Sequence, residues 1–307
     1  MTSILNNTAA MNALSALRNV NSNLETSQDR ISSGLKVGSA KDNAAYFQIS
    51  ETMKGDSSAY SSINEGLSLT KNSVSTARLG AETIQDLSQQ FLDKVAFAQG
   101  ATGGHAEIEN DLKELVKQME TTLSQSTFNG DDMLGAGATI TAGSVAAADG
   151  ALTGSTGGVA AATRNVVTGV SRAGGAYAAT TMAVGTHDLA TLVGDFSAIA
   201  TDFETNATTA ATAEAFLAGV LATTEGVVGN VTDIATKLGQ SEKSIEGQQE
   251  FLTSLTDTLD SGVSAMVDAD MEEEAARLQA YQVQQQLATQ SLSIANQQPQ
   301  NILSLFR

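Results

Sequence analysis

The sequence predicts a mainly α-helical protein, with long antiparallel coiled-coil-like rods formed by pairing its N- and C-terminal regions and a mixed α/β insert in the middle. Three observations carry that prediction. Apolar residues recur at alternating steps of three and four along long stretches, the spacing that lines one seam of a supercoiled helix. A single proline, Pro299, occurs in 307 residues, and an interior proline costs a helix roughly 3 kcal/mol. Aromatic residues make up only 4% and tryptophan is absent, which suits thin helical packing better than a thick globular core.

The first stretch reads Leu14, Leu17, Asn21, Leu24, Gln28, Ile31, Leu35 and breaks at the glycine- and serine-bearing segment SSGLKVGSAKDN. The second reads Tyr46, Ile49, Met53, Asp56, Tyr60, Ile63, Leu67, Thr70, Val74, Ala77, Ala81, Ile84, Ser88, Phe91, Val95, Ala98. Only Asp56, Thr70 and Ser88 interrupt it. At 1.5 Å rise per residue it predicts a rod of about 80 Å. GATGG at 100–104 ends that rod, and Ile108, Leu112, Leu115 and Met119 then mark a shorter helix folding back as a hairpin. The third reads Val231, Ile234, Leu238, Ser241, Ile245, Gln248, Leu252, Leu255, Leu259, Gly262, Met266, Ala269. After the acidic DADMEEE comes a last helix with Leu278, Val283, Leu287, Leu292 and Ile294, and Pro299 reads as its stop, leaving QNILSLF as a separate foot.

Between the rods, 135–230 is rich in Ala, Thr and Gly. Heptads vanish there and turn residues multiply, so it reads as a separate module of mixed structure, with a largely disordered insert as the alternative. Its β-branched runs RNVVTGV and ATTMAVGT precede helix-like pieces near 188–203 and 211–221. The heptads near the two termini have no apolar partner except one another, so the ends are expected to pair. This divides the chain into 1–45, 46–134, 135–230, 231–269 and 270–307.

Composition excludes several kinds of chemistry. A formal net charge of -18 with no basic stripe argues against nucleic acid, whose phosphates need clustered Lys and Arg. Without cysteine there are no disulfides, thiolate metal sites or cysteine nucleophiles. No 18-residue apolar run is read as a membrane span, and the N-terminus lacks the basic segment and continuous apolar core of a cleaved signal peptide. Export would need another route. His105 and His187 lack zinc-type partners, no HExxH or GxSxG occurs, and GLKVGSAK around Lys41 lacks the spacing and the ending of a phosphate loop. Asp268, Asp270, Glu272, Glu273 and Glu274 could suggest a cation cluster, but Asp270 and Glu273 stand at capping-box spacing before a helix. No enzyme and no cofactor are expected.

ILNNTAAMNAL, RISSGLKVGSAKDNAAYFQIS at 30–50, STFNG at 126–130, DADMEEEAAR and ANQQPQNILSLFR resemble bacterial flagellin, the subunit of the flagellar filament, in several motifs and in the same order. Ser33, Gly34, Asp42, Ala44, Ala45, Phe128, Asn129, Gly130, Asp268 and Asp270 carry the likeness. Tyr46 departs from it, standing where many members have glycine. The resemblance implies self-polymerisation into an extracellular helical filament and export, without a cleaved signal peptide, by the flagellar type III secretion apparatus. It implies a flagellin chaperone, hook-associated junction proteins and a filament cap as partners, with no nucleic acid and no membrane insertion. The arginine-bearing helix motif that animal innate receptors recognise is missing around Phe91 to Val95, since no arginine lies between Arg78 and Arg164, so that recognition is not expected.

With the resemblance in hand, the uncharged, apolar-striped ends read as a polymerisation core: Leu5, Met11, Leu14, Leu17, Leu24, Ile31, Leu287, Leu292, Ile294, Pro299, Ile302, Leu303, Leu305 and Phe306. Ile63, Leu67, Val74, Ile84, Phe91, Val95, Leu238, Ile245, Leu252, Leu255 and Leu259 read as the rod seam. A helix pair so lean in side-chain bulk is marginal alone, so the ends are expected to order only among neighbouring copies. A flagellar hook-filament junction protein is the alternative structural reading, and an activity in the insert the enzymatic one.

Overall fold

The structure is a computed structural model that describes residues 7–159, 162–171, 178–209 and 211–305, with side chains described as far as residue 297. In chain order the elements are α1 (Thr8–Ser33), α2 (Ala44–Gly100), α3 (His105–Gln125), β1 (Ser144–Val145), β2 (Leu152–Thr153), β3 (Thr163–Ser171), β4 (Ala178–Gly185), α4 (Leu189–Ala200), α5 (Phe203–Thr208), α6 (Ala213–Val267) and α7 (Met271–Leu305). They fall into two compact units, one of Met1–Ser58 with Leu255–Arg307 and one of Ala59–Ser254.

In the first unit α1 lies antiparallel on α7. The Asn7 side chain caps α1 by accepting from the Ala10 N–H at 3.0 Å and donates to the Ala295 carbonyl at 2.8 Å, while Gln285 donates to Asn21 at 2.7 Å. Helix α1 stops because Gly34 takes a left-handed conformation (φ 74°), which a residue without Cβ adopts freely, and returns its N–H to the Arg30 carbonyl. The following linker pairs with the α6–α7 linker: the Lys36 and Val37 N–H groups donate to the Val267 carbonyl, and the Ala269 N–H to Gly34. Val37, Val263 and Val267 bury one another there, with Leu35, Phe47 and Met53 packed on them.

The second unit has one continuous core. Leu67, Val74, Ala77, Ala81, Ile84, Phe91, Val95 and Ala98 of α2 are buried against Ile108, Leu112, Val116, Met119 and Leu123 of α3 and Leu238, Ile245 and Leu252 of α6. Strands β3 and β4 form an antiparallel hairpin with an irregular register between Val167 and Gly169. It is tied to the helices by the Tyr60 hydroxyl donating to the Val170 carbonyl and by the Gln248 amide donating to Thr168, both at 2.9 Å.

Four readings of the sequence need correction. Among the described residues, the segment 135–230 contains strands and helices of its own but no separate core: Phe196 of α4 stacks edge-on against Phe91 of α2 at 5.0 Å, and Val184, Leu189, Val193 and Phe203 join the same cluster. The piece read as a short helix near 211–221 is the opening of α6, whose buried Phe216, Val220, Thr224, Val227 and Val231 keep the helical spacing through Gly- and Thr-rich sequence. The early seam of α2 is rotated: Phe47, Ser50 and Ser57 turn inward toward the valine cluster and Asp260, leaving Tyr46 and Ile49 exposed. Helix α7 runs through Pro299 to Leu305, because one missing N–H removes a single rung without ending the ladder.

Helix α6 is long and apolar enough by length and composition to cross a membrane, which was not read from the sequence. Its Phe216, Val220, Val227, Val228, Val231 and Leu238 are buried in the core of the second unit, so its apolarity serves packing.

Two glycines explain the composition of α6 near its start. A Cβ on Gly219 would lie 1.7 Å from the Asp149 carbonyl oxygen, and one on Gly150 (φ +68°) would lie 2.5 Å from the backbone at Phe216 and Val220. The β1–β2 turn and α6 meet backbone to backbone. Gly219→Ala is therefore expected to destabilise the protein by about 1–3 kcal/mol through overpacking. Gly229→Ala, where a Cβ meets nothing within 4 Å, is expected to stabilise by roughly 0.5–1 kcal/mol. Urea unfolding midpoints of the two variants should move in opposite directions.

Candidate functional site

The terminal helices carry two stripes each. On α1 the inner stripe is Ala10, Ala13, Leu17, Val20, Leu24, Ser27 and Ile31; on α7 it is Glu274, Leu278, Tyr281, Gln285, Ala288, Leu292 and Ala295. These repeat at steps of three and four and face each other across the antiparallel pair. The seam is lean. Alanine, serine, glutamine and glutamate occupy many positions where a self-sufficient pair would carry leucine or isoleucine.

The outer stripe is apolar and uncovered. Met11 is 65% exposed, Leu287 58% and Ile294 63%, with Leu14 and Val283 exposed beside them. Of the residues expected to form the polymerisation core, Leu17, Leu24, Ile31 and Leu292 lie half-buried in the seam, and Met11, Leu14, Leu287 and Ile294 lie outside it. The expected α1 seam is thus rotated, with Val20 and Ser27 turned in and Asn21 and Gln28 exposed. Leu5 and Phe306 lie outside the described residues, and the side chains of Pro299, Ile302, Leu303 and Leu305 do as well. Of the rod-seam residues, Leu67, Val74, Ile84, Phe91, Val95, Leu238, Ile245 and Leu252 are buried, while Ile63, Leu255 and Leu259 are half-buried.

The motif residues set where helices end. Ser33 donates to the Asp29 carbonyl one turn back, and Gly34 reverses the chain. Asp42 accepts from the Ser39 hydroxyl and from the Ser39 and Gly38 N–H groups, which hold its carboxyl below the usual value. Asn43, which sequence reading missed, caps α2 over Ala44 and Ala45 by accepting from the Ala45 and Tyr46 N–H groups. Phe128 and Asp131 exchange backbone bonds around Asn129 and Gly130, both at positive φ as a tight two-residue turn requires. Asp268 bridges Leu35 across the paired linkers.

Asp270 caps α7 by accepting from the Glu272 and Glu273 N–H groups at 3.0 and 3.2 Å. Glu273 extends to Arg277 at 2.6 Å. Glu274 is buried, accepting from the Ser27 hydroxyl, with Arg30 at 3.9 Å. This polar lock between α1 and α7 was not legible in DMEEE, where each glutamate looks equally solvated. Among the described residues, no group of three or more His, Cys, Asp or Glu is arranged to hold a metal ion.

In the second unit, burial alone would raise the Asp131 carboxyl, but the Arg164 guanidinium and the Ser73 hydroxyl outweigh it and hold the group below its usual value. This contact closes the 128–131 turn onto α2 and β3.

Paired terminal helices, capped linkers and an uncovered apolar stripe on each helix are features of a structural subunit with apolar surface left over at its ends. Comparison with known proteins gives the family. Residues 4–139 match the bacterial flagellin N-terminal helical region, and residues 221–306 the bacterial flagellin C-terminal helical region. Along the full length of both chains, this protein is 38% identical over 325 residues to flagellin C of Rhizobium meliloti (strain 1021) and 34% identical over 310 residues to a flagellin of Brucella melitensis biotype 1. Flagellin A of Rhizobium meliloti (strain 1021) is 33% identical over 400 aligned residues, again with both chains fully covered. The chain belongs to the bacterial flagellin family. It is a structural subunit of the extracellular flagellar filament that supports motility and not an enzyme, and the junction-protein alternative is not favoured.

Two outcomes test the polar contacts. Glu274→Ala strands the buried Ser27 hydroxyl and is expected to cost about 1–3 kcal/mol per subunit, read as a lower denaturant midpoint for dissolving assembled filaments. A carboxyl held below its unfolded value lends stability above that value and loses it as pH falls through the folded one. The melting-temperature gap between wild type and Asp131→Asn should therefore narrow as pH drops from about 6 to about 3.

Proposed function

We propose that the outer stripes of α1 and α7 are the surface through which copies of this flagellin polymerise, with 1–45 and 270–307 forming the innermost layer of the tube. In this reading 46–134 and 231–269 build the rod layer around it, and 135–230 faces outward. One observation supports it most: Met11, Leu14, Val283, Leu287 and Ile294 are exposed on a helix pair whose mutual seam is too lean to need them. Covering such a side chain contributes roughly 1.5–3 kcal/mol, which neighbouring copies would supply. Fixing each residue costs roughly 1–2 kcal/mol, so the ends gain their full order only in the polymer.

The same reading takes in partners and route. The C-terminal helix, with its apolar stripe uncovered before assembly, is the segment a cytoplasmic chaperone would hold. Export proceeds unfolded through the flagellar type III secretion apparatus, and growth proceeds under a filament cap from junction proteins at the base. No arginine-bearing helix motif stands near Phe91 to Val95 for an innate receptor.

Leu287→Asp with Ile294→Asp leaves the seam untouched and is expected to abolish filament growth, read by sedimentation and electron microscopy, with unchanged helix content by circular dichroism. Removal of residues 291–307 should do the same. Long filaments from either variant would refute the assignment of the outer stripe, and amide-exchange protection of α1 and α7 in dilute subunits would refute ordering on assembly.

A further inference from the structure

Independently of how copies assemble, we propose that the second unit binds a linear polyamine in a cavity at the α2–α3 turn. The cavity, of about 820 Å³, is walled by that turn, the first residues of α3, α5 and the opening of α6. Its wall carries three carboxylates, Glu107, Glu204 and Glu214, and among the described residues no lysine or arginine. All three are exposed, and none takes part in a salt bridge among the described residues.

His105 gives this cavity an unmet hydrogen bond. It is the first residue of α3, only 7% exposed, it lines the cavity, and its Nδ1 has no hydrogen-bond partner. A buried polar atom left unpaired is costly, so one on a cavity wall points to a ligand atom that would meet it. An imidazole nitrogen can accept an N–H, and ionised carboxylates only accept. Gln99 donates to the Leu217 carbonyl at 3.3 Å, which leaves its oxygen as a further acceptor. The polar wall therefore calls for N–H donors that carry positive charge. Much of the remaining wall is apolar, with Ala101, Ala106, Ala207, Ala213, Leu217 and Ala218. Ammonium groups joined by methylene spacers match both parts, since the N–H groups pair with carboxylates while the spacers cover methyl groups.

Two other ligand classes fit less well. A metal ion needs oxygen or nitrogen ligands converging on one point, and among the described residues no three such groups are so arranged. An anion would gain from the N-terminus of α3, where Gly104 offers no side-chain cap. That end carries the equivalent of roughly half a positive charge, which three carboxylates outweigh. The Glu204 N–H donates to Glu109 of α3 at 2.7 Å, so α5 and α3 are already joined beside the cavity. A polyamine pairing with Glu107, Glu204 and Glu214 ties α6 to them, and binding to the folded chain alone raises its melting temperature.

Spermidine titrated calorimetrically into dilute full-length subunits should bind once per chain, raise the melting temperature and slow amide exchange at 101–107 and 213–218. The triple variant Glu107→Gln, Glu204→Gln, Glu214→Gln should weaken binding about tenfold or more. The control Glu114→Gln, Glu225→Gln, Glu250→Gln removes as much charge from exposed positions outside the cavity and should leave binding nearly unchanged. His105→Phe keeps a buried ring without its nitrogens and should weaken binding several-fold while melting no lower than wild type. Absence of spermidine binding, equal loss in both triple variants, or wild-type affinity in His105→Phe would each overturn the proposal. So would magnesium binding the same site more tightly than spermidine. None of these results bears on assembly through the terminal helices, so the filament reading stands or falls separately.

Discussion

Everything in the second unit depends on one continuous apolar line along α2, from Leu67 to Ala98. Its members are mostly small, and aromatic residues are scarce, so each turn buries little area and stability comes from length and continuity. Helices α3, α4 and α6 and the β3–β4 hairpin all pack on this line or on residues it anchors, which is why the described residues of the middle segment share its core. Phe91 meeting Phe196 shows the dependence: the largest ring on the line is covered by the segment that composition sets apart.

Polar groups decide where that packing stops. Gly34, Asn43 and Asp270 each end or begin a helix at a fixed residue, so the two linkers meet in register and exchange backbone bonds. Shifting any boundary by one residue would rotate the following helix by about 100° and move its apolar stripe off the partner. RISSGLKVGSAKDNAAYFQIS and DADMEEEAAR contain these boundaries, where helix phase is set.

The sequence made the helices, the antiparallel pairing of the ends and most of the rod seam legible, since periodic apolar spacing is visible without knowing the partner. RNVVTGV and ATTMAVGT became β3 and β4, and the helix read from Asp188 became α4 with Asp188 as its cap. What escaped notice depends on contacts between distant residues. Glycine at 219 looks like a turn former, yet it sits inside a helix because the Asp149 backbone leaves no room for a Cβ. Phase failed for a related reason: on α1, position 28 is as plausible as position 27 until Glu274 arrives to accept from Ser27. At Tyr46 and Ile49, apolar spacing is present without burial, because periodicity reports which face could be covered, not which one is.

That distinction bears most heavily on the ends. The chain carries 34 acidic and 16 basic residues, yet no charged side chain stands between Met1 and Leu17 or between Leu278 and Phe306. Crowding many copies of a protein of net charge -18 would be opposed by repulsion if the meeting surfaces shared that excess. If copies meet through these ends, as proposed, placing the charge elsewhere removes the penalty where they touch and leaves it on the remaining surface, where like charge would hold finished filaments apart. The lean inner seam follows from the same division: a helix pair that satisfied itself fully would have nothing left to gain from a neighbour.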